Sequence, residues 1–246
     1  MDRLIYVAMS GAKNSEVRQA SIANNLANVT TPGFRAEFAN ARAVAALGGP
    51  GIGTRSFVVQ QTPGADLSAG IFQQTGRDLD VAVRGKGWLA VQTSTGEAYT
   101  RNGSFEVDAA GLLKTHAGEI VQGENGPLTI PENTRPSIAS DGTVSAVDMS
   151  NPNQVVEVGR LKLVNPPDNQ MEKGLDGLFR QRNGEIAQAD AEVRLASGGI
   201  EGSNVNSVEQ LVSMISTQRH FDMQMKLITT AEQNARSASS LLSLNS

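Results

Sequence analysis

Apolar residues recur at two different spacings along this chain, helical at both ends and strand-like in between. The first segment, roughly 2–29, places apolar or small residues one or more helical turns apart, which predicts an amphipathic helix with a narrow apolar face. The residues of this face are Ile5, Ala8, Ala12, Ile22 and Leu26.

The last segment carries a stronger pattern, a seam whose positions alternate in steps of three and four residues. A period of about 3.5 residues held over several heptads is typical of a coiled coil. Asn206 or Ser207 would supply the N-cap of this helix. Glu209 and Gln210 each follow one of them by three residues, in capping-box register. The seam positions are Leu211, Met214, Gln218, Phe221, Met225, Ile228, Glu232, Ala235, Ser239 and Leu242.

Glycine and proline mark the boundaries between these segments. Of the 25 glycines and 9 prolines, only Gly11 precedes Pro32 and none follows Gly202. Because both residue types interrupt regular helix, the chain divides into helix, turn-rich middle and helix. In the middle, short apolar runs about 8–12 residues apart predict a sandwich or barrel-like all-β region. The predicted strands lie at 80–83, 88–93, 97–101, 111–115, 119–123 and 155–164.

Two stretches of the middle have distinctive patterns. The run 155–164 alternates apolar and polar residues at its two ends, which predicts one strand with a single apolar side. The glycine-rich stretch 46–54 is typical of a flexible linker. The apolar side of the predicted strand consists of Val156, Val158, Leu161 and Leu163.

The composition excludes several classes of protein. The formal net charge of −4 lacks the basic excess that a duplex-binding surface needs, so no nucleic-acid partner is predicted. Without cysteine there is no disulfide framework, thiolate metal site or cysteine nucleophile. Residues 1–14 lack the apolar core of a secretory signal, and no run reaches membrane-span length. We therefore expect neither a cleaved Sec-type signal nor membrane insertion.

No group of residues predicts a catalytic, cofactor-binding or metal site. His116 and His220 lie far apart in sequence, and neither has a second histidine or cysteine at ligand spacing. The stretch RGKGW at 84–88 superficially resembles a phosphate loop, but it lacks the required spacing and leads into a strand. A hairpin turn is predicted there. The sequence thus predicts a protein that is not an enzyme and that needs no cofactor.

Two other functions stay open from the residues alone. Trp88 could be a sugar platform in a carbohydrate-binding or adhesive β module, although a single tryptophan in GWLAV is more typical of a sheet core. Asp78 and Asp80 could serve a hydrolase that acts on the cell wall, which needs an acid pair in a cleft. Turn and strand-edge roles are the simpler interpretation of these carboxylates.

Four stretches of the chain, in order, resemble the bacterial flagellar axial proteins, the group of rod, hook and hook-associated proteins. The opening MDRLIYVAMSGA and the element TPGADLSAG at 62–70 are most similar to the basal-body rod proteins of the proximal type. A distal-rod or hook-type protein of the same family is the alternative. The four stretches are ANNLANVTTPGFR at 23–35, DLDVAVRGKGWLAVQT at 78–93, YTRNGSFEVDAAGLLKTHAGEIVQG at 99–123 and GGIEGSNVNSVEQLVSMISTQRHFDMQMKLI at 198–228.

The resemblance implies a mainly β middle flanked by long N- and C-terminal α-helices that pair as a coiled coil. It assigns the helices to an inner domain and the β region to an outer layer. The implied segments are an N-terminal inner helix at 1–31, an extended or β connection at 32–79, a β-rich outer domain at 80–174, a β return segment at 175–202 and a C-terminal inner helix at 203–246.

The resemblance also implies a function. The chain would be a structural subunit of the flagellar basal-body rod, assembling with copies of itself and with other rod proteins into a helical tube that transmits motor torque. It would lie in the periplasmic section of the basal body and be exported by the flagellar type III apparatus. Whether the β region also contacts peptidoglycan or the bushing layer around the shaft is left open.

Subunit contacts are expected around the end of the first helix, near the start of the last helix and along the seam of the last helix. Short amides such as those of the three asparagines in 23–35 can bridge groups on adjacent chains in a crowded helical layer. The alternative is that they form an exposed helix face and a C-cap. The predicted interface residues are Ile22, Asn24, Asn25, Leu26, Asn28, Thr31, Phe34, Asn204, Leu211, Met214, Gln218, Phe221, Met225 and Ile228.

Overall fold

In this computed structural model, a long β region lies between two helices in chain order. The structure describes residues 2–39, 41–45, 56–60, 64–151 and 154–243, with side chains for 5–39, 64–151, 154–237 and 240. The linker predicted at 46–54 lies outside these residues. The chain divides into a helical unit, Met1–Ala27, Glu37–Gly64 and Asn206–Ser246, and a β unit, Asn28–Ala36 and Ala65–Val205.

Helix α1 spans Asp2–Ala27 and buries a narrow face made of small residues. Ala8 and Ala12 are 3% and 9% exposed, and Ile22 is 5% exposed. The apolar face predicted from the sequence is confirmed at these three positions. A face this narrow stabilises an isolated helix only marginally, so α1 depends on the residues packed against it.

Helix α2 spans Ser207–Ser243 and begins at a side-chain cap. Asn206 Oδ1 accepts hydrogen bonds from the backbone N–H groups of Val208 at 3.1 Å and Glu209 at 3.3 Å. These bonds satisfy two of the donors that a helix leaves unpaired at its start. The predicted N-cap at Asn206 is therefore confirmed.

The predicted pairing of the two helices as a coiled coil is wrong. Leu211 and Met225, two large members of the predicted seam, are 47% and 41% exposed, and Gln218 is exposed as well. Among the described side chains of α2, the buried ones are the small Thr217 and Ala231. An interdigitated seam of large apolar residues is therefore not formed. The last seam positions, Ser239 and Leu242, lie outside the described side chains.

The small residues of α1 explain why the seam fails. A methyl group added at Gly11 would lie 3.0 Å from Gln224 Cδ on α2, so at this point the two helices touch through a glycine and a polar side chain. Alanine and glycine on α1 offer no deep holes for the large knobs that a heptad count assigns to the contact. Leu211 and Met225 of the predicted seam are left exposed instead.

The strands are short and numerous. The first ten are β1 Glu37–Phe38, β2 Ala41–Ala45, β3 Ser56–Gln60, β4 Gly64–Ala65, β5 Phe72–Gln74, β6 Val81–Arg84, β7 Trp88–Thr93, β8 Gly96–Thr100, β9 Phe105–Val107 and β10 Leu113–Thr115. The others are β11 Ile120–Gly123, β12 Gly126–Pro127, β13 Thr134–Ile138, β14 Thr143–Asp148, β15 Val155–Arg160, β16 Leu163–Val164, β17 Met171–Lys173, β18 Phe179–Gln181, β19 Arg194–Ser197 and β20 Gly199–Glu201.

Antiparallel pairing joins these strands into several sheets, which confirms the predicted β-rich middle. The largest sheet has nine strands, with the path β17-β18-β8-β7-β11-β10-β9, β12 beside β11 and β16 beside β7. Strands β13, β14 and β15 form a second sheet. Strand β19 pairs with β6, β20 with β5, and, in the helical unit, β2 with β3.

Strand β7 lies at the centre of the largest sheet and has both faces buried. Its first residues pair with β16 and its later residues with β11, while β8 covers the other edge. Leu89 belongs to a cluster with Val81 and Phe105, whereas Trp88 packs on the opposite face with Phe179. The side-chain alternation of one strand therefore connects two hydrophobic cores.

The single strand predicted at 155–164 is wrong. The stretch forms β15 and β16, which belong to different sheets. Val156 is 41% exposed on the edge strand β15, whereas Leu161 and Leu163 are 1% and 2% exposed beside the largest sheet. Alternation counted across the break placed Val156 on the buried side, because sequence spacing cannot show where a strand changes sheets.

Tyr99 gives the β unit a dependence on alkaline pH. It is 1% exposed, its hydroxyl accepts a hydrogen bond from Ala187 N at 2.7 Å, and burial raises its pKa from 10.0 to about 12. Above the ordinary pKa the unfolded chain loses this proton while the folded chain keeps it. We expect the free energy of unfolding to fall by about 1.4 kcal/mol per pH unit between about pH 10 and pH 12 through this group.

Urea unfolding at several alkaline pH values, followed by circular dichroism, measures this effect. The Tyr99→Phe variant keeps the ring and lacks the titrating hydroxyl, so its stability should fall less steeply over the same range. Equal slopes for the two chains would contradict the assignment.

Candidate functional site

Asn25 joins the end of α1 to the first residue of β1. Its Nδ2 donates to the Glu37 carbonyl oxygen and its Oδ1 accepts from Glu37 N, both at 2.7 Å. Ser21 Oγ donates to the same carbonyl at 3.1 Å, and Asn25 Nδ2 lies 3.5 Å from Gln210 Oε1 on α2. Asn25 is 2% exposed, so its amide is used inside the chain. Its contact with a neighbouring copy stays a prediction.

The chain continues from α1 into a turn that only glycine can complete. Thr31 N donates to the Asn28 carbonyl at 3.2 Å, and Thr31 Oγ1 donates to Asn28 Oδ1 at 3.1 Å. Gly33 follows with a φ of 69°, and its N–H donates to the Glu201 carbonyl at 2.7 Å. A Cβ at this position would lie 2.3 Å from the carbonyl carbon of Arg101. The glycine therefore serves both the turn and the close approach of two backbones.

Phe34 lies next to the turn and contacts a strand of the largest sheet. Lys173 Nζ, on β17, is 3.8 Å from the centroid of the Phe34 ring and donates to the Arg35 carbonyl at 3.0 Å. A cation at this distance from an aromatic face is attracted by its quadrupole. Phe34 thus helps to hold segment 28–36 against strand β17.

Three charged side chains form a buried charge cluster, which consists of Arg35, Arg101 and Glu201. Arg35 Nη2 lies 2.6 Å from Glu201 Oε1, and Arg101 Nη1 lies 3.0 Å from Glu201 Oε2. The three side chains are 0%, 5% and 5% exposed. Gly70 N also donates to Glu201 Oε1 at 2.8 Å. One carboxylate therefore holds three separate segments of the β unit together.

The cluster carries more positive than negative charge. Burial lowers the pKa of Arg101, and the neighbouring Arg35 acts in the same direction, whereas Glu201 opposes them. Arg101 Nη2 donates to the Gly85 carbonyl at 2.7 Å, but Arg101 Nε and two nitrogens of Arg35 have no partner among the described atoms. Within the cluster, Glu201 alone offsets two buried cations, which makes its charge costly to remove.

Sequence reasoning missed this cluster, although a signal was present. Arg35 ends the stretch 23–35, Arg101 follows Tyr-Thr in 99–123, and Glu201 stands in 198–228. Each is a charged residue with a glycine one or two positions away in the chain. A charged residue in such a position is a candidate for a buried ion pair. However, Arg101 and Arg35 lie 100 and 166 residues before Glu201 in the chain, so the pairing cannot be seen locally.

Asn204 ties together the two ends of the longer segment of the β unit. Its Oδ1 accepts from Ala36 N at 2.7 Å. Its Nδ2 donates to the carbonyl oxygens of Asp66 at 2.9 Å and Ser68 at 3.0 Å. This predicted interface residue therefore uses its amide within the chain, and a further contact with another copy stays a prediction.

The carboxylates considered for a hydrolase have structural partners instead. Asp78 Oδ2 lies 2.6 Å from Arg135 Nη2 at the surface. Asp80 is 1% exposed and accepts from Thr75 Oγ1 at 2.7 Å and Ser104 Oγ at 3.2 Å. Two carboxylates held in this way do not form an acid pair in a cleft.

Trp88 is not a sugar platform. The Trp88 side chain is 3% exposed, and its ring centroid lies 4.5 Å from that of Phe179. The guanidinium carbon of Arg101 lies 5.3 Å from the centroid of the Trp88 ring.

Within the described residues, no group of three or more histidine, aspartate or glutamate side chains could hold a metal ion. Neither helix has, over its described length, a stretch apolar enough to cross a membrane.

The predicted interface residues differ in exposure, and nothing within the single chain tests their contacts with other copies. Ile22 and Asn25 are buried. The half-buried members are Leu26, Asn28, Thr31, Phe34, Asn204, Met214, Phe221 and Ile228. The exposed members are Asn24, Leu211, Gln218 and Met225.

Helix α2 exposes a row of large apolar side chains that the sequence analysis did not single out. Its members are four, three, eight and four residues apart, so they share one side of the helix. Val212, Ile215 and Met223 line a groove together with Arg219 and His220. We call this row the α2 row; it consists of Val208, Val212, Ile215, Met223 and Leu227, which are 68%, 62%, 56%, 52% and 49% exposed.

Three family models match the chain. The model described as flagella basal body rod protein matches residues 5–35, and the flagellar hook protein FlgE/F/G D1 domain matches 82–146. The flagellar basal body rod FlgEFG protein C-terminal model matches 196–241. Each matched segment contributes one member of the buried charge cluster.

Full-length relatives give a consistent result. The chain is 47% identical over 253 residues to the flagellar basal-body rod protein FlgF of Escherichia coli (strain K12), and 46% identical to the FlgF of Salmonella typhimurium. In both comparisons the match covers 100% of each chain. It is 34% identical to the flagellar basal-body rod protein FlgG of Bacillus subtilis (strain 168), over 95% of this chain and 96% of the relative.

Proposed function

Because the chain belongs to the flagellar basal-body rod protein family, we propose that it polymerises with itself and with other rod proteins into a helical tube that transmits motor torque. As a member of this family it is a structural subunit of the rod and not an enzyme. The higher identity to FlgF than to FlgG supports a position in the proximal rod.

The α2 row is the observation that carries this proposal. Monomeric proteins rarely expose a continuous line of large apolar side chains, and such lines mark interaction surfaces. All five members of the row are about half exposed or more. A rod subunit has neighbours along a helical lattice, which supplies an apolar partner for a surface of this kind.

The predicted interface residues extend this surface. Leu211 and Met225 are exposed on α2 beside the row, and an unbranched methionine fits several slightly different neighbours. We propose that these side chains and the exposed Asn24 contact adjacent subunits. Because Ile22 and Asn25 are buried, they would influence these subunit contacts indirectly, by maintaining the structure of the helical unit.

Membership of the family also supports proposals about where the subunit lies in the basal body and which of its segments form the inner and outer layers of the rod. The rod subunit would lie in the periplasmic section of the basal body and leave the cytosol through the flagellar export apparatus. Segments 1–31 and 203–246 would form the inner part of the tube, with the β-rich segment 80–174 outside them. A contact of that segment with peptidoglycan or the bushing layer belongs to the same proposal.

Ile215→Glu tests the proposed assembly surface. Ile215 is 56% exposed in the single chain, so we expect the free energy of unfolding to change by no more than about 0.5 kcal/mol. A carboxylate buried unpaired against an apolar neighbour is strongly unfavourable, so incorporation into rods should be lost. The measurements are urea unfolding of the purified chain and swarming of a strain that carries the variant as its only copy.

Asn234→Glu is the matched control. Asn234 is exposed in the later, more polar part of α2, and the substitution adds the same charge to the same helix. This control should swarm like the wild type. Normal swarming and normal basal bodies with Ile215→Glu would overturn the proposed surface.

A further inference from the structure

We propose that Glu201 is a positioning residue that fastens the segment after α1 and the segment before α2 to the rest of the β unit at one shared point. Its role is to fix where these two segments leave the β unit. The inference rests on the proposed rod function in one respect, because its last readout is rod assembly.

The geometry of Glu201 carries the argument. Its backbone carbonyl accepts from Gly33 N at 2.7 Å, and its Oε1 receives both Arg35 Nη2 at 2.6 Å and Gly70 N at 2.8 Å. Its Oε2 receives Arg101 Nη1 at 3.0 Å from the end of β8. One residue therefore binds segment 28–36, segment 65–70 and the largest sheet, while it is itself the last residue of β20.

Charge and donor number make glutamate specific for this position. Three N–H groups, from Arg35, Gly70 and Arg101, converge on two carboxylate oxygens. Glutamine has the same shape but offers one acceptor oxygen, so it cannot serve all three donors. It also leaves two buried guanidinium groups without a counter-charge, which pushes their segments apart.

Glu201→Gln in the full chain is the test. We expect the Gly70 amide to exchange at least about tenfold faster with solvent deuterium, because it loses its bond to a charged acceptor. The Gly33 amide should also exchange faster, although its own acceptor is the unchanged carbonyl of residue 201. Swarming and basal-body formation should be lost in a strain that carries only this variant.

Glu97→Gln is the matched control for loss of a buried ion pair. Lys162 Nζ lies 2.8 Å from both carboxylate oxygens of Glu97, and the two side chains are 15% and 10% exposed. This pair lies within the β unit and does not hold the end segments. The control should lower the melting temperature, keep the Gly33 and Gly70 exchange rates and still assemble.

A second variant separates positioning from charge balance. Glu201→Gln combined with Arg35→Gln returns the cluster to its original net charge, so the melting temperature should rise above that of the single variant. Assembly should still fail, because the charged link between positions 35 and 201 is absent. This variant replaces the single one if that chain does not accumulate.

Three results would overturn the proposal: normal assembly with Glu201→Gln, recovery of assembly in the double variant, or equal loss of assembly with Glu97→Gln at a similar melting temperature. If the wild-type chain itself does not restore swarming, the proposed rod function fails. The exchange rates of Gly33 and Gly70 then decide the positioning role alone: faster exchange supports it, and unchanged exchange overturns it.

Discussion

Trp88→Ala is expected to lower the free energy of unfolding of the β unit by about 3–5 kcal/mol. The side chain is 3% exposed at the start of the central strand β7, so its removal leaves a cavity and deprives Phe179 of its ring contact. Arg101 also loses the aromatic face 5.3 Å from its guanidinium carbon. Urea unfolding followed by far-ultraviolet circular dichroism measures the loss, since the variant has no tryptophan fluorescence.

Leu175→Ala is the comparison for Trp88→Ala. Leu175 is fully exposed in the turn between β17 and β18, so removing it should change the free energy of unfolding by less than about 0.5 kcal/mol. A loss of less than about 1 kcal/mol in the free energy of unfolding for Trp88→Ala would show that the core around Trp88 and Phe179 does not depend on this residue.

Gly33→Ala is expected to destabilise the chain by about 2–5 kcal/mol. The left-handed backbone, with φ at 69°, costs an alanine about 1–2 kcal/mol. The new methyl group would also lie 2.3 Å from backbone atoms of Arg101 and Asn102, and moving a packed backbone adds about 1–3 kcal/mol. Thermal and urea unfolding of the purified variant measure the total.

Gly184→Ala separates the two contributions. Gly184 has a φ of 74°, and no atom lies within 4 Å of a Cβ built there. Its substitution should therefore cost only the backbone strain of about 1–2 kcal/mol. Equal losses at Gly33 and Gly184 would show that segment 28–36 moves freely away from the sheet.

Local signals in the sequence were sufficient for the element types. The cap at Asn206 and the turn chemistry around Pro32 act within a few residues, so the end of α1 and the start of α2 could be predicted closely. The strands around Trp88 and Tyr99 were also predicted, because their apolar runs are bounded by glycine. Such features depend on neighbouring residues alone.

Contacts between distant segments could not be predicted in this way. The covered side of α2 depends on which residues α1 presents, and the small Gly11 and Ala12 favour contacts that a heptad count does not anticipate. Glu201 and Arg35 are separated by 166 residues, and neither stretch alone indicates that their charges meet. The family resemblance identified the stretches, but not the bonds between them.

Asn204 gives the molecule a modular architecture. Its amide binds Asp66, so the long excursion of the chain between them starts and finishes at one place. Domains whose termini are adjacent can be exchanged or enlarged without moving the scaffold that carries them. We therefore expect the region from 67 to 203 to tolerate insertions and exchanges without separating Asp66 from Asn204.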